Sequence, residues 1–370
     1  MAEKIHWVDF DTMEKFMVKV FQEVGIKEQD AKICAEVLIT SDKRGIDSHG
    51  IGRLKPIYID RIREGVINPV TVVETIKEGP TTAVLDGHNG MGQVVAKQAM
   101  EMAIEKAATY GLGMVAVRNS NHYGIAGYYA LMAAEKGMIG ITGTNARPSI
   151  APTFGIENML GTNPLTFGLP SDDEFPFVLD CATSITQRGK IEVYGREGKE
   201  LPEGWVIGED GKPRTDTVKV LVDLVNGGAA LAPLGGIGEE LGGYKGYGYA
   251  TVVEILSAAL QGGAFLGALS GMKDGQKVPY QLGHFFIAIN VEAFTSLEEF
   301  KKTTGDILRD LRASKRMPGA DRIYTAGEKE YLAWQFRKNK GVPVNEALQR
   351  DVICLKKEMG LDEFHFDFEA

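Results

Sequence analysis

The sequence holds only three cysteines in 370 residues, Cys34, Cys181 and Cys354, and no CxxC pair. That excludes a disulfide-stapled scaffold and the paired thiols of a zinc site or redox dithiol, and it fits a reducing, cytoplasmic setting. No apolar run approaches the ~20 residues of a membrane span, and the N-terminus MAEKIHWVDF has no apolar signal-peptide core. Basic excess is missing too. A formal charge of -9 opposes the net basic footprint expected of a nucleic-acid-binding domain, so an anionic ligand would need a local basic site. Internal repeats, low-complexity segments and long linkers are absent. What remains is ordinary globular material, 44% hydrophobic and 25% charged, which argues against disorder. The length predicts roughly two domains, or one large one.

The most informative stretch is Ser41–Arg53, S-D-K-R-G-I-D-S-H-G-I-G-R. Glycines at 45, 50 and 52 permit a sharp turn that presents the His49 imidazole, beside Ser48, to a cleft. If a helix starts near His49, then Arg53, four residues on, shares its face. A proton-transferring group beside a fixed cation suits a substrate with a carboxylate next to its reacting carbon. The plain alternative is a helix-capping histidine and an arginine in a surface ion pair.

Residues 9–42 read as two helices, the first opened by an Asp11–Glu14 capping box, and they deliver the chain into this corner. Leu54–Glu64 reads as a short helix, Pro69–Asp86 as strands, and Gly92–Tyr110 as a helix. Gly111, Gly113 and Ala116 then match G-x-G-x-x-A, but the order is helix, glycines, strand. A Rossmann pyrophosphate site needs strand, glycines, helix, so that motif is rejected. After the strand Met114–Val117, the loop with Asn121 and His122 precedes a helix over Ile125–Lys136. Its free N–H groups have the polarity to hold a phosphate or carboxylate, although His122 also fits a capped turn. Strands at Ile139–Thr144, Leu165–Leu169 and Phe177–Asp180 end in polar loops that make a cleft rim or simple Asx turns. Residues 187–232 read as an excursion over the surface. Lys245 lies in a glycine-dense loop ahead of a helix over Tyr249–Leu260, an arrangement that offers N–H groups and a cation to a phosphate. No Ser or Thr follows that lysine, so it is not an ATP-hydrolysing P-loop. A strand at His284–Ile289, a helix capped by Thr295 and Glu298, and two more helices close the chain.

Six motifs in order carry a resemblance over nearly the whole chain: D-S-H-G at 47–50 with Arg53, S-N-H-Y-G at 120–124, G-T-N-P at 161–164, L-D-C-A-T-S at 179–184, G-G-Y-K-G-Y-G at 242–248 and M-P-G at 317–319. Together they resemble the type-2 malate/L-lactate dehydrogenase family, which includes sulfolactate, ureidoglycolate and diketogulonate oxidoreductases. Its archaeal malate dehydrogenases look most similar. The resemblance implies an α/β fold with a non-Rossmann nicotinamide-binding domain around a central mixed sheet (residues 81–290), plus a helical domain formed by both termini (residues 1–80 and 291–370). It also implies a homodimer that transfers hydride between NAD or NADP and a small 2-hydroxy/2-keto acid. Malate/oxaloacetate is the foremost substrate, with lactate, sulfolactate or an imino acid as alternatives. A non-catalytic protein binding an anionic metabolite is the alternative of another class.

By the same resemblance His49 donates and accepts the proton at the substrate oxygen, Arg53 binds the substrate carboxylate, and Asp180 supports the histidine. Ser48 and His122 complete the catalytic group. Cofactor contacts are expected from Asn121, His122, Asn145, Ala146, Asn163, Asp180, Cys181, Ala182, Thr183, Lys245, Gly246 and the turn Met317, Pro318, Gly319. No metal is implied. One departure from the family pattern is the segment Gly236–Gly242, which adds Glu239 and Glu240 ahead of the lysine.

Overall fold

The computed structural model describes residues 5–369; the first four residues of the N-terminal stretch read above lie outside it. Asp9 opens the first helix, Phe10–Glu23, its carboxylate accepting the Thr12 N–H at 2.9 Å. The cap is therefore Asp9, ahead of the expected Asp11. Met13, Phe16, Met17, Val20 and Phe21 bury one face of this helix against Cys34, Leu38 and Ile39 of the second, Glu28–Lys43. Val342, Val344, Leu355 and Phe366 join the same core, and the strand His6–Val8 pairs antiparallel with Val342–Val344. The two ends of the chain thus close one apolar cluster.

The middle of the chain is a seven-stranded mixed sheet. Its order is Glu74–Glu78, Thr82–Asp86, Leu112–Ser120, Leu282–Asn290, Met138–Thr144, Leu165–Leu169, Phe177–Cys181. Among the described residues one neighbouring pair is parallel, Thr82–Asp86 with Leu112–Ser120, and the helix Gly92–Tyr110 makes its crossover. Gly111, at φ 85°, caps that helix before the strand starts, so the glycine motif sits at a helix C-terminus and has no anion-binding end. Leu282–Asn290 returns late in the chain to fill the centre of the sheet, antiparallel to both neighbours.

Residues 187–232 are not the surface excursion expected. They carry the helices Arg188–Arg196 and Thr217–Asn226 and an antiparallel pair of short strands, Val206–Gly208 with Ala229–Leu231, between which the second helix lies. Ile191, Leu201, Val206, Val220 and Leu231 give this segment its own apolar cluster with Ile150 and Leu160. The last helix of the middle segment also starts earlier than read, at Gly243, which places Lys245 in its first turn. Gly246 allows that turn to lie on the chain at Leu234, where an added Cβ would fall 2.2 Å from the Leu234 carbonyl oxygen. The helix Leu297–Ala313 is capped by Ser296, one residue after the expected Thr295.

Position 50 sets the course of the chain through the corner. The buried Asp42 carboxyl accepts the Ile51 N–H at 2.9 Å across the bend, while Gly45, at φ 75°, turns the chain out of the second helix. An added Cβ at Gly50 would lie 1.8 Å from Asp42 Oδ1. From outside, Arg337 of the helix Glu328–Arg337 donates to the Asp42 carbonyl at 2.7 Å and grips the Asp47 carboxylate with both terminal nitrogens, one at 2.8 Å. Gly50→Ala should therefore lower unfolding free energy by about 1–3 kcal/mol, the usual cost of overpacking. A melting curve like the wild type's would show that the bend tolerates a side chain.

Candidate active site

His49 leaves the corner in a bend, and Arg53 follows in a single 3-10 turn, Ile51–Arg53, with its N–H bonded to the Gly50 carbonyl at 2.9 Å. The expected shared helix face is therefore replaced by a tighter turn. The two side chains nevertheless line one cavity of about 360 Å³. Arg44, Gly127, Asp180, Gln187 and Arg188 line it as well, and Glu330 enters from the C-terminal part of the chain. Ser48 Oγ lies 2.8 Å from His49 Nδ1, and Arg53 Nε donates to the Ser48 carbonyl, so the three residues brace one another. The ring of His122 lies nearly parallel to His49, with centroids 5.6 Å apart and planes 15° apart. Burial, and then the Arg53 charge, lower the His49 pKa to about 4. Burial followed by the charges of His49, Arg61 and Arg53 also pushes His122 well below the ordinary histidine value. Both rings are therefore neutral at pH 7.

The helix Ala126–Glu135 was read as an anion site, and its N-terminus does meet an anion, one supplied by the chain. Gly127 N–H donates to Asp180 Oδ2 at 2.7 Å, and Thr166 Oγ1 donates to Asp180 Oδ1 at 3.1 Å. Asp180 presents surface to the cleft while the surrounding protein raises its carboxyl pKa, an effect opposed by those two hydrogen bonds and by Arg44. His49 Nδ1 shares its hydrogen bond with Ser48 Oγ; the expected support from Asp180 is not direct.

A second cavity of about 1110 Å³ continues from the first, sharing Ser48, Arg53, Asp180, Ala182, Gln187 and Gly189. Cys181, Ser184 and Thr186 line its floor, and the buried hydroxyls of Ser184 and Thr186 have no hydrogen-bond partner there. Large and continuous with the His49–Arg53 cavity, this extension has room for a dinucleotide.

Several residues expected to touch a cofactor make hydrogen bonds within the fold. Asn163 donates to the Ala250 carbonyl and to Glu254 and accepts the Ala146 N–H; Asn145 exchanges bonds with Gly283 and Ala264. The Asn121 amide holds the carbonyls of Asn89 and Gly90, and Thr183 Oγ1 holds that of Asn163. All four side chains are buried. Lys245 is exposed over the Tyr244 ring, and the Met317–Gly319 turn is exposed; neither lines the two cavities. The sequence reading missed Arg44, Tyr58 and Glu330. Of these only Arg44 had a signal, its place inside the glycine-rich corner.

A sequence profile of the malate/L-lactate dehydrogenase family matches residues 8–352. The chain belongs to this family. It is 47% identical to a malate dehydrogenase of Pyrococcus abyssi, with 95% of this chain and 94% of the relative aligned. It is 40% identical to an L-sulfolactate dehydrogenase of Methanocaldococcus jannaschii over 94% and 96% of the two chains. The solved structure of an Entamoeba histolytica malate dehydrogenase superposes with a TM-score of 0.93 at 48% identity, covering 96% and 99%. As a member of the malate/L-lactate dehydrogenase family, the chain is an oxidoreductase of the 2-hydroxyacid dehydrogenase type and uses a nicotinamide cofactor.

The depressed His49 pKa makes a signed prediction. A base that is neutral down to about pH 4 stays competent as the solution acidifies. With cofactor saturating, kcat/KM for hydroxy-acid oxidation should lack an acid limb from His49 between about pH 8 and pH 5. A limb in the wild type near the ordinary histidine value, about 6.5, that disappears in His49→Asn would contradict the site's electrostatics.

Proposed function

We propose that the chain is a cytoplasmic, homodimeric NAD(P)-dependent malate dehydrogenase, with His49 as acid/base and Arg53 as the substrate-carboxylate ligand. The observation that carries this is the convergence of His49 and Arg53 on one cavity in a chain whose relatives include malate dehydrogenases. A planar guanidinium grips a carboxylate through two parallel hydrogen bonds and so fixes the neighbouring carbon. In oxidation, neutral His49 takes the hydroxyl proton through Nε2 while its Nδ1–H donates to Ser48 Oγ; in reduction the proton returns to the keto oxygen. A carboxylate bound to Arg53 offsets the charge that depresses the His49 pKa, so substrate binding itself eases protonation of the ring. The nicotinamide, when bound, supplies or accepts the hydride. Alignment of the two reactants accounts for about 7–11 kcal/mol of the barrier in favourable cases.

Arginine outweighs acid around the cavity, with Arg44, Arg53 and Arg188 facing Asp180 and Glu330. Arg188 is partly spent on Glu192, at 2.9 Å, whereas Arg44 has a buried Nε without a hydrogen-bond partner. Arg53, with Arg44 lining the same cavity, offers a cation for each of two carboxylates, which favours a dianionic acid such as malate over lactate. The cytoplasmic setting is supported by three cysteines that remain free thiols. The division into a cofactor-binding middle segment and a helical unit made by both ends is supported by the core those ends share.

Absorbance assays with NADH and with NADPH on oxaloacetate, sulfopyruvate and pyruvate test the assignment. Oxaloacetate should be reduced fastest, and absence of turnover with every pair would return the cavity to simple metabolite binding. Arg53→Lys should lose about 10–100-fold in kcat/KM, the value of a charge-assisted hydrogen bond, with melting temperature and cofactor affinity near wild type. Normal kcat/KM would remove Arg53 from the substrate site.

A further inference from the structure

Beneath the paired imidazoles lies a side chain with no role so far, Tyr58. It is fully buried, and its hydroxyl lies 2.7 Å from His122 Nδ1. The same nitrogen also receives the Gly124 N–H at 3.3 Å. A backbone N–H can only donate, so Nδ1 must be the ring's acceptor, and the Tyr58 hydroxyl donates to it as well. In a neutral imidazole the hydrogen then belongs to Nε2. Among the described residues no side chain or backbone group hydrogen-bonds to Nε2, and it is not an enclosed orphan. One donor of His122 is therefore left for a ligand.

We propose that Tyr58 is a positioning residue that fixes His122 in its Nε2–H tautomer, so that His122 offers a hydrogen bond to the reacting oxygen while His49 exchanges the proton. The assignment rests on the dehydrogenase function proposed above. Local helix geometry supports it. Leu54–Ile59 forms a π-helical turn, closed by the Asp60 N–H on the Lys55 carbonyl, five residues back. Single π turns of this kind are frequent at functional sites. The Tyr58 ring packs edge-on against His122, with centroids 5.8 Å apart, and against Phe21, at 6.0 Å. It is anchored in the terminal core while its hydroxyl serves the site. A neutral imidazole that only donates polarises a carbonyl without surrendering its proton, which leaves acid/base work to the other ring.

The test is Tyr58→Phe, which removes the hydroxyl and keeps the ring. Long-range proton–nitrogen correlation spectra of histidine-labelled protein without substrate read the tautomer directly, and the wild-type His122 should be Nε2–H. In the variant only the long Gly124 contact, at 3.3 Å, would still hold Nδ1, so the Nδ1–H form should appear beside the Nε2–H form; kcat for keto-acid reduction should fall about tenfold, and cofactor affinity and melting temperature should hold. An Nδ1–H tautomer in the wild type overturns the proposal, and this needs no variant to fold. So does a variant with unchanged tautomer, or one with a changed tautomer and unchanged kcat. Failure of the dehydrogenase function would look different: no turnover by the wild type, with the tautomer pattern intact.

Discussion

The arrangement of the site depends on one buried contact, the Asp42 carboxyl accepting the Ile51 N–H across the bend that carries Ser48 and His49. Burial pushes the Asp42 pKa up to about 8, opposed by that hydrogen bond and by Arg337. Such a group is costly to bury, and it is kept because it ties the end of one helix to the start of the next turn. Gly50 leaves room for it, and Arg337, from near the other end of the chain, holds Asp47 on the far side. Breaking either hold would release the His49–Arg53 pair without touching a residue that meets substrate.

Electrostatics then give the corner its chemistry. A chain with formal charge -9 gathers Arg44, Arg53 and Arg188 around one small cavity. Two imidazoles, both depressed below their ordinary pKa values, lie within this positive field. Burial, with the arginine charges adding to it, keeps the rings neutral, and the same charges favour an anionic ligand. The helix end that might have bound a second anion is already occupied by Asp180, which confines free positive charge to the arginines.

Long periodic elements were legible in the sequence, and special backbone geometry was not. The helix Gly92–Tyr110 and the strand Leu165–Leu169 match their expected limits because propensity, period and flanking glycine agree there. Within 187–232 the strands Val206–Gly208 and Ala229–Leu231 have three residues each, too few for a period. The helix Thr217–Asn226 exposes Val218, Val222 and Val225, β-branched residues that hide a helical pattern. Glycine density concealed the true start of the helix carrying Lys245. In the site, His49 and Arg53 stood out by spacing and motif, whereas Tyr58 depends on a π turn and Glu330 arrives from hundreds of residues away. The hydrogen-bonded side chains of Asn145 and Asn163 could not be told from ligands by residue type alone.

If His49 and Arg53 act as proposed, the substrate carboxylate rests on Arg53 and its reacting oxygen faces His49. A crystal structure with reduced cofactor and hydroxymalonate, a dicarboxylate that mimics malate, tests it most directly. The account predicts a carboxylate held in two parallel hydrogen bonds by Arg53, with the hydroxyl within hydrogen-bond reach of His49 Nε2. A ligand bound in the cleft with its hydroxyl away from both histidines, or with Arg53 still turned onto the Ser48 carbonyl, would contradict it.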